Sequence, residues 1–111
     1  MKKTIILASI AFATAFYTQA DPAKKVNLTF QNGKLKIEAI HNVKDVKTHY
    51  IDQIVINVDG KDVKTISPKM QSSNGAETLE IAVAEIKKGS NVVVTTRCNE
   101  FGKKKGKLTI K

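Results

Sequence analysis

The sequence predicts an all-β chain: seven short strands folded as an immunoglobulin-like antiparallel β-sandwich after an N-terminal signal peptide. Three observations carry this expectation. Apolar residues recur with period two, not 3.6, along most of residues 25–111. Turn signals such as Asn32-Gly33, Asp59-Gly60 and Lys87-Lys88-Gly89 interrupt the alternation at intervals of about ten residues. The first 20 residues are built differently from everything that follows.

Met1-Lys2-Lys3 is a short basic start, Thr4 to Tyr17 is uncharged and largely apolar, and Thr18-Gln19-Ala20 places small residues before Asp21. This is the layout of an export signal cleaved after Ala20. The apolar run falls short of the ~20 residues that span a bilayer, and no later segment is apolar enough to do so. The signal holds no cysteine for lipid attachment. The chain therefore divides into a signal peptide, 1–20, and one domain, 21–111, expected in the periplasm or outside the cell.

Composition narrows the class further. The chain has 111 residues, 19 basic and 10 acidic, for a formal charge of +9. Cleavage removes two lysines and no acid, leaving +7 on 91 residues. A domain of that size has one small core, which excludes Rossmann and TIM-barrel architectures. Hydrophobic residues make up 41% of the chain, which excludes a disordered or collagen-like chain.

The strands follow in order. Val26, Leu28 and Phe30 alternate with polar residues, and after Asn32-Gly33 so do Leu35, Ile37 and Ala39, so 25–31 and 34–40 read as a hairpin. Residues 50–58 are apolar on both faces at their centre and read as the central strand. Asp59-Gly60 turns the chain into 61–66, which Ser67-Pro68 ends. Residues 69–75 are a polar loop. Leu79, Ile81 and Val83 mark a fifth strand, and their alternation argues against a helix over 77–88. Residues 91–97, rich in Val and Thr, form the sixth. Residues 101–106 read as a basic loop and 107–111 as a last short strand.

Two histidines and one cysteine carry the candidate chemistry. His41 ends the second strand, His49 immediately precedes the third, and Cys98 ends the sixth. In an immunoglobulin-like order the connections after strands two and six emerge at the same end, which brings the three within reach. Two imidazoles and a thiolate suit iron, copper or zinc. The residues alone also allow solvated loop histidines and a buried inert thiol. Asp45 and Asp52 are either partners that orient the histidines or plain surface carboxylates.

His49-Tyr50-Ile51 opening a strand, Asp59-Gly60 at its end, and Cys98-Asn99-Glu100-Phe101-Gly102 after a Val-rich strand give a closer comparison. In this order the chain resembles the superoxide reductase family, the iron domain of desulfoferrodoxin and neelaredoxin, from roughly Lys34 to Ile110. The resemblance implies a mononuclear non-haem iron, with His41 and His49 as equatorial ligands and Cys98 as the axial one. It implies one-electron reduction of superoxide to peroxide, fed by an external electron donor because the chain has no second Cys-rich centre. Phe101 stands where the family motif has a further His, and the family's early His and loop Lys have no counterpart. A non-enzymatic binding module on the same fold is the alternative.

Lys103-Lys104-Lys105 and Lys107 lie just beyond Cys98. Such charge steers anions, superoxide or another small anion among them, or is simply a solvated surface. Nucleic acid is not expected as a partner, since export removes it and no aromatic-interleaved basic face is present.

Overall fold

The computed structural model describes residues 21–111; the expected signal peptide, 1–20, lies outside the described residues. Seven strands form two antiparallel sheets. β1 (Lys25–Gln31), β2 (Lys34–Ile40) and β5 (Ala76–Ala82) make the first, in the order β1-β2-β5. β3 (Ile51–Val58), β4 (Lys61–Ile66), β6 (Asn91–Cys98) and β7 (Lys103–Thr109) make the second, in the order β4-β3-β6-β7. The chain is all-β and sandwich-like, with β3 inside its sheet as its apolar centre predicts. No helix among the described residues is long and apolar enough to cross a membrane.

Both predicted hairpins close as type I′ turns: Asn32 and Gly33 have φ of 54° and 77°, Asp59 and Gly60 of 52° and 89°. β1 and β2 then pair in an unbroken register from Lys25↔Ile40 to Gln31↔Lys34. Their apolar face and that of the second sheet supply one core, with Leu35, Ile37, Ile54, Ile56 and Val94 fully buried.

Two inner rows of side chains run toward the same end. On β2 the row is Leu35, Ile37, Ala39; on β6 it is Val92, Val94, Thr96, Cys98. The β3–β6 register slips between Ile51 and Gln53, so Ile51 pairs with Cys98 and Gln53 with Arg97, leaving Asp52 as the extra residue of a bulge. The bulge keeps Ile51 and Cys98 both buried at the last step of the ladder.

The last strand begins earlier than the sequence indicates. Lys103 to Lys105, expected as loop, are strand, paired with Arg97, Thr96 and Thr95. An exposed edge strand gets its order from backbone pairing, and lysines suit an edge because they discourage further pairing. Gly106 is required for a different reason. A Cβ there would lie 2.3 Å from the Val26 carbonyl oxygen, so β7 approaches β1 at a distance that only glycine allows. Gly106→Ala is expected to destabilise the domain by about 1–3 kcal/mol, since backbone must move to admit the methyl group. A lower urea midpoint with an unchanged slope checks it.

Candidate metal centre

His41 extends the inner row of β2 by one more alternation, and Cys98 ends the inner row of β6. Period two therefore aims both side chains at the mouth between the sheets, where they are 1% and 2% exposed. His49 arrives from the loop. The Asp45 carbonyl accepts from the amides of Thr48 (3.2 Å) and His49 (3.0 Å), and the Asp45 carboxylate accepts from Lys47 N (2.9 Å). That turn carries the His49 ring edge-on against His41, with centroids 4.9 Å apart and planes at 89°.

Asn99 ties the two connections together. Its Oδ1 accepts from Tyr50 N (2.9 Å), its Nδ2 donates to Thr48 O (3.0 Å), and its own amide donates to Tyr50 O (2.9 Å). The β2–β3 and β6–β7 connections thus share one end of the molecule. One ligand atom each from His41, His49 and Cys98 lie within 4.8 Å of one another. A transition metal holds His nitrogen at about 2.0–2.1 Å and thiolate at about 2.3 Å, so ligand atoms round one ion are at most ~4.4 Å apart. In a tetrahedral shell the same bonds set ligand atoms about 3.5 Å apart, so closing the group onto an ion takes a contraction of up to about 1.3 Å.

The hydrogen bonds of His41 give a sharper test of fit. Gln71 Nε2 donates to His41 O (2.7 Å) and Ser73 O (2.9 Å), which fixes the orientation of its amide. Gln71 Oε1 therefore faces His41 Nδ1 at 2.8 Å and also accepts from Ile51 N at 3.3 Å. An amide oxygen only accepts, so Nδ1 carries the ring proton. In the neutral ring Nε2 is then a bare lone pair, yet its neighbour is the Asp21 carbonyl oxygen, 3.0 Å away and also only an acceptor. Two lone pairs face each other unless a cation stands at Nε2. A proton fits the 3.0 Å gap as it stands; a metal ion, about 2.1 Å from Nε2, fits only with the Asp21 oxygen moved beside it as a neighbouring ligand. A metal-bound His characteristically donates its second N–H to an oxygen, as His41 does to Gln71.

His49 has a matching deficit. Its Nε2 lies 2.9 Å from Asp21 Oδ2 and 3.7 Å from Glu100 Oε1, but it is out of line with the nearer oxygen and, though buried, makes no hydrogen bond. Asp21, His49 and Glu100 form a second group of ligand atoms within 4.8 Å, sharing His49 with the first. Cys98 Sγ accepts from Glu100 N at 3.4 Å. A hollow of about 570 Å³ beside His49 is lined by Lys44, Asp45 and Glu100 among others.

Some sequence candidates act elsewhere. Asp52 takes Arg97 in a two-pronged pair, Nε–Oδ1 2.9 Å and Nη2–Oδ2 3.3 Å, on the side of the strands away from Cys98. Asp45 orients His49 only through the turn. Phe101, at the family's histidine position, is 64% exposed. Gln71, Asp21 and Glu100 are the residues the sequence reading missed. Glu100 could have been suspected from its place two residues after Cys98; Gln71 carries no sequence signal. No protein-family model matches the chain, and no curated protein matches it.

Gln71→Met, similar in volume, strands a ring N–H, an amide and two carbonyls in the interior. It is expected to cost on the order of 3 kcal/mol in chemical denaturation. The loop behind Gln71 leans on Glu77, which is buried and accepts from Ser72 N at 2.9 Å. Burial pushes its carboxyl above the ordinary 4.5, against the lowering effect of the Ser72 hydrogen bond. The folded state therefore favours the protonated form, and this contribution to stability falls as pH rises through the folded value. Glu77→Gln is expected to flatten that part of the stability profile, as urea midpoints between about pH 4 and pH 7 would show.

Proposed function

We propose that this protein is an exported, immunoglobulin-like sandwich domain that holds a single transition metal through His41, His49 and Cys98. We further propose iron as the metal and one-electron reduction of superoxide as the reaction. The observation that carries the metal reading is the convergence of one ligand atom each from His41, His49 and Cys98 within 4.8 Å, and the lone pair that Gln71 leaves on His41 Nε2 supports it. The donor set of two imidazoles and a thiolate supports iron, with copper or zinc as the other metals it suits.

His41, His49 and Cys98 would hold the iron, which would supply one electron to superoxide; two protons from water would complete hydrogen peroxide, and an external one-electron donor would restore the ferrous state. The chain's own residues do the rest. Gln71 holds the His41 ring and its tautomer. The Glu100 amide donates to Cys98 Sγ and moderates its electron donation. Lys44 is the one lysine lining the hollow beside His49, set against the carboxylates of Asp45 and Glu100. Phe101 is exposed and brings no ligand atom to the β6–β7 turn.

A second reading is a binding module without turnover, and one observation favours it. The carboxylates of Asp21 and Glu100 flank His49. If both coordinate, they close the site with hard oxygens and repel superoxide.

Protein purified anaerobically is expected to carry about one iron per chain, with a thiolate-to-iron absorption band that appears on oxidation. Cys98→Ser should lose the band, and Gln71→Met should weaken metal binding roughly 10–100-fold. Superoxide consumption above the spontaneous rate supports the reductase. Bound metal without such consumption supports the binding module. Absence of metal from protein purified with iron, copper and zinc supplied rules out the metal centre and leaves a binding module whose metal site is degenerate.

A further inference from the structure

Asp21, the first residue after the expected cleavage point, is built into the metal centre. Its backbone nitrogen donates to Phe101 O at 3.0 Å, its carbonyl oxygen faces His41 Nε2 at 3.0 Å, and its Oδ2 lies 2.9 Å from His49 Nε2. Gly102 makes this seat. A Cβ there would come within 2.8 Å of the Pro22 ring, so Pro22, and Asp21 with it, rests directly on the β6–β7 turn. The second ligand group, Asp21, His49 and Glu100, shares the His49 ring with the first.

The chemistry of the Asp21 nitrogen depends on whether the chain has been cut. In the unprocessed chain it is an amide, whose lone pair is delocalised into the carbonyl of Ala20; it can donate a hydrogen bond but is not a ligand. Hydrolysis adds one water across the Ala20–Asp21 bond. The new carboxylate leaves with the leader, and the new amine stays on Asp21. A primary amine has a localised lone pair once its extra proton is released to solvent, as metal binding requires of its ligands. Covalent geometry keeps that nitrogen within roughly 4 Å of the carbonyl oxygen and the carboxylate of the same residue. Those two oxygens already face His41 and His49, so the amine closes a small chelate ring with either.

We propose that removal of the leader arms the site: the α-amine and carboxylate of Asp21 complete the His41, His49 and Cys98 set for a divalent transition metal. The inference rests on the metal reading above and on cleavage after Ala20. It makes metal loading a step that follows export, because the unprocessed chain lacks one ligand. It also gives the acceptor-only carbonyl at His41 Nε2 a role, as part of a chelate facing a cation.

To test this, the full chain is expressed with its leader in a bacterial host, and the N-terminus of the exported protein is read by mass spectrometry. Its α-amine is then acetylated near pH ~6.5, where an α-amine (pKa about 7.7–8.0) reacts ahead of lysine (about 10.4). Co²⁺ is titrated into both forms, with the thiolate-to-cobalt absorption reporting Cys98 and circular dichroism reporting the fold. The expected result is a chain beginning at Asp21 whose Co²⁺ affinity falls at least about tenfold on acetylation, with an unchanged dichroism spectrum. Asp21→Asn, exported in the same way, keeps the amine and the backbone contacts and is expected to bind Co²⁺ more weakly as well. Equal affinity before and after acetylation, or a chain beginning elsewhere, overturns the inference and leaves the His–His–Cys site standing. Failure of the unmodified exported protein to bind Co²⁺ overturns the site itself.

Discussion

Gln71 closes the open end of the two sheets with four hydrogen bonds from one buried side chain. Its amide nitrogen donates to the carbonyls of His41 and Ser73, and its oxygen accepts from Ile51 N and the His41 ring. Those partners belong to the end of β2, the 69–75 loop and the start of β3. A buried amide so fully satisfied rigidifies what it touches, because each alternative position leaves several polar groups without partners. The orientation of His41, the position of its ring proton and the bare lone pair on Nε2 all follow from this one group.

The sheets bring the other half of the arrangement. Two inner rows of core side chains, on β2 and β6, each end on a residue with a coordinating atom, so the same alternation that buries the core also builds the candidate centre. The β3 bulge lets Ile51 pair with Cys98 and turns Asp52 outward to Arg97, which keeps that guanidinium away from the thiol. Asn99 binds the His49 turn to the Cys98 turn, so three side chains from distant parts of the sequence are held at one spot by backbone-directed hydrogen bonds. Soft and borderline donors lie inside and carboxylates outside. In the proposed function this gradient decides between turnover and simple metal retention.

Much of the fold was legible because period two and type I′ turn residues act locally. The hairpin of β1 and β2 follows from alternation and Asn-Gly, the central place of β3 from apolar residues on both its faces, and the shared end of the two connections from the expected immunoglobulin-like strand order. The start of β7 was not legible, because Lys103-Lys104-Lys105 has no apolar alternation and is ordered by pairing with β6. His41 and Cys98 were legible as ends of strands. Gln71 was not, since a glutamine in a polar loop looks the same whether it faces water or a histidine 30 residues away. Asp21 belongs to the site through contacts with His41, His49 and Phe101 that no local pattern encodes.

Two-bond ¹H–¹⁵N spectra of the two imidazoles, recorded before and after one equivalent of Zn²⁺, read the proton and the metal on each ring nitrogen and so report whether His41 and His49 share one ion. His41 is expected to keep its proton on Nδ1 and take the metal on Nε2, His49 to shift with it at the same stoichiometry, and Cys98→Ser to abolish the joint shift. A proton on Nε2 of neutral His41, or ring nitrogens that Zn²⁺ leaves unmoved, would contradict this expectation.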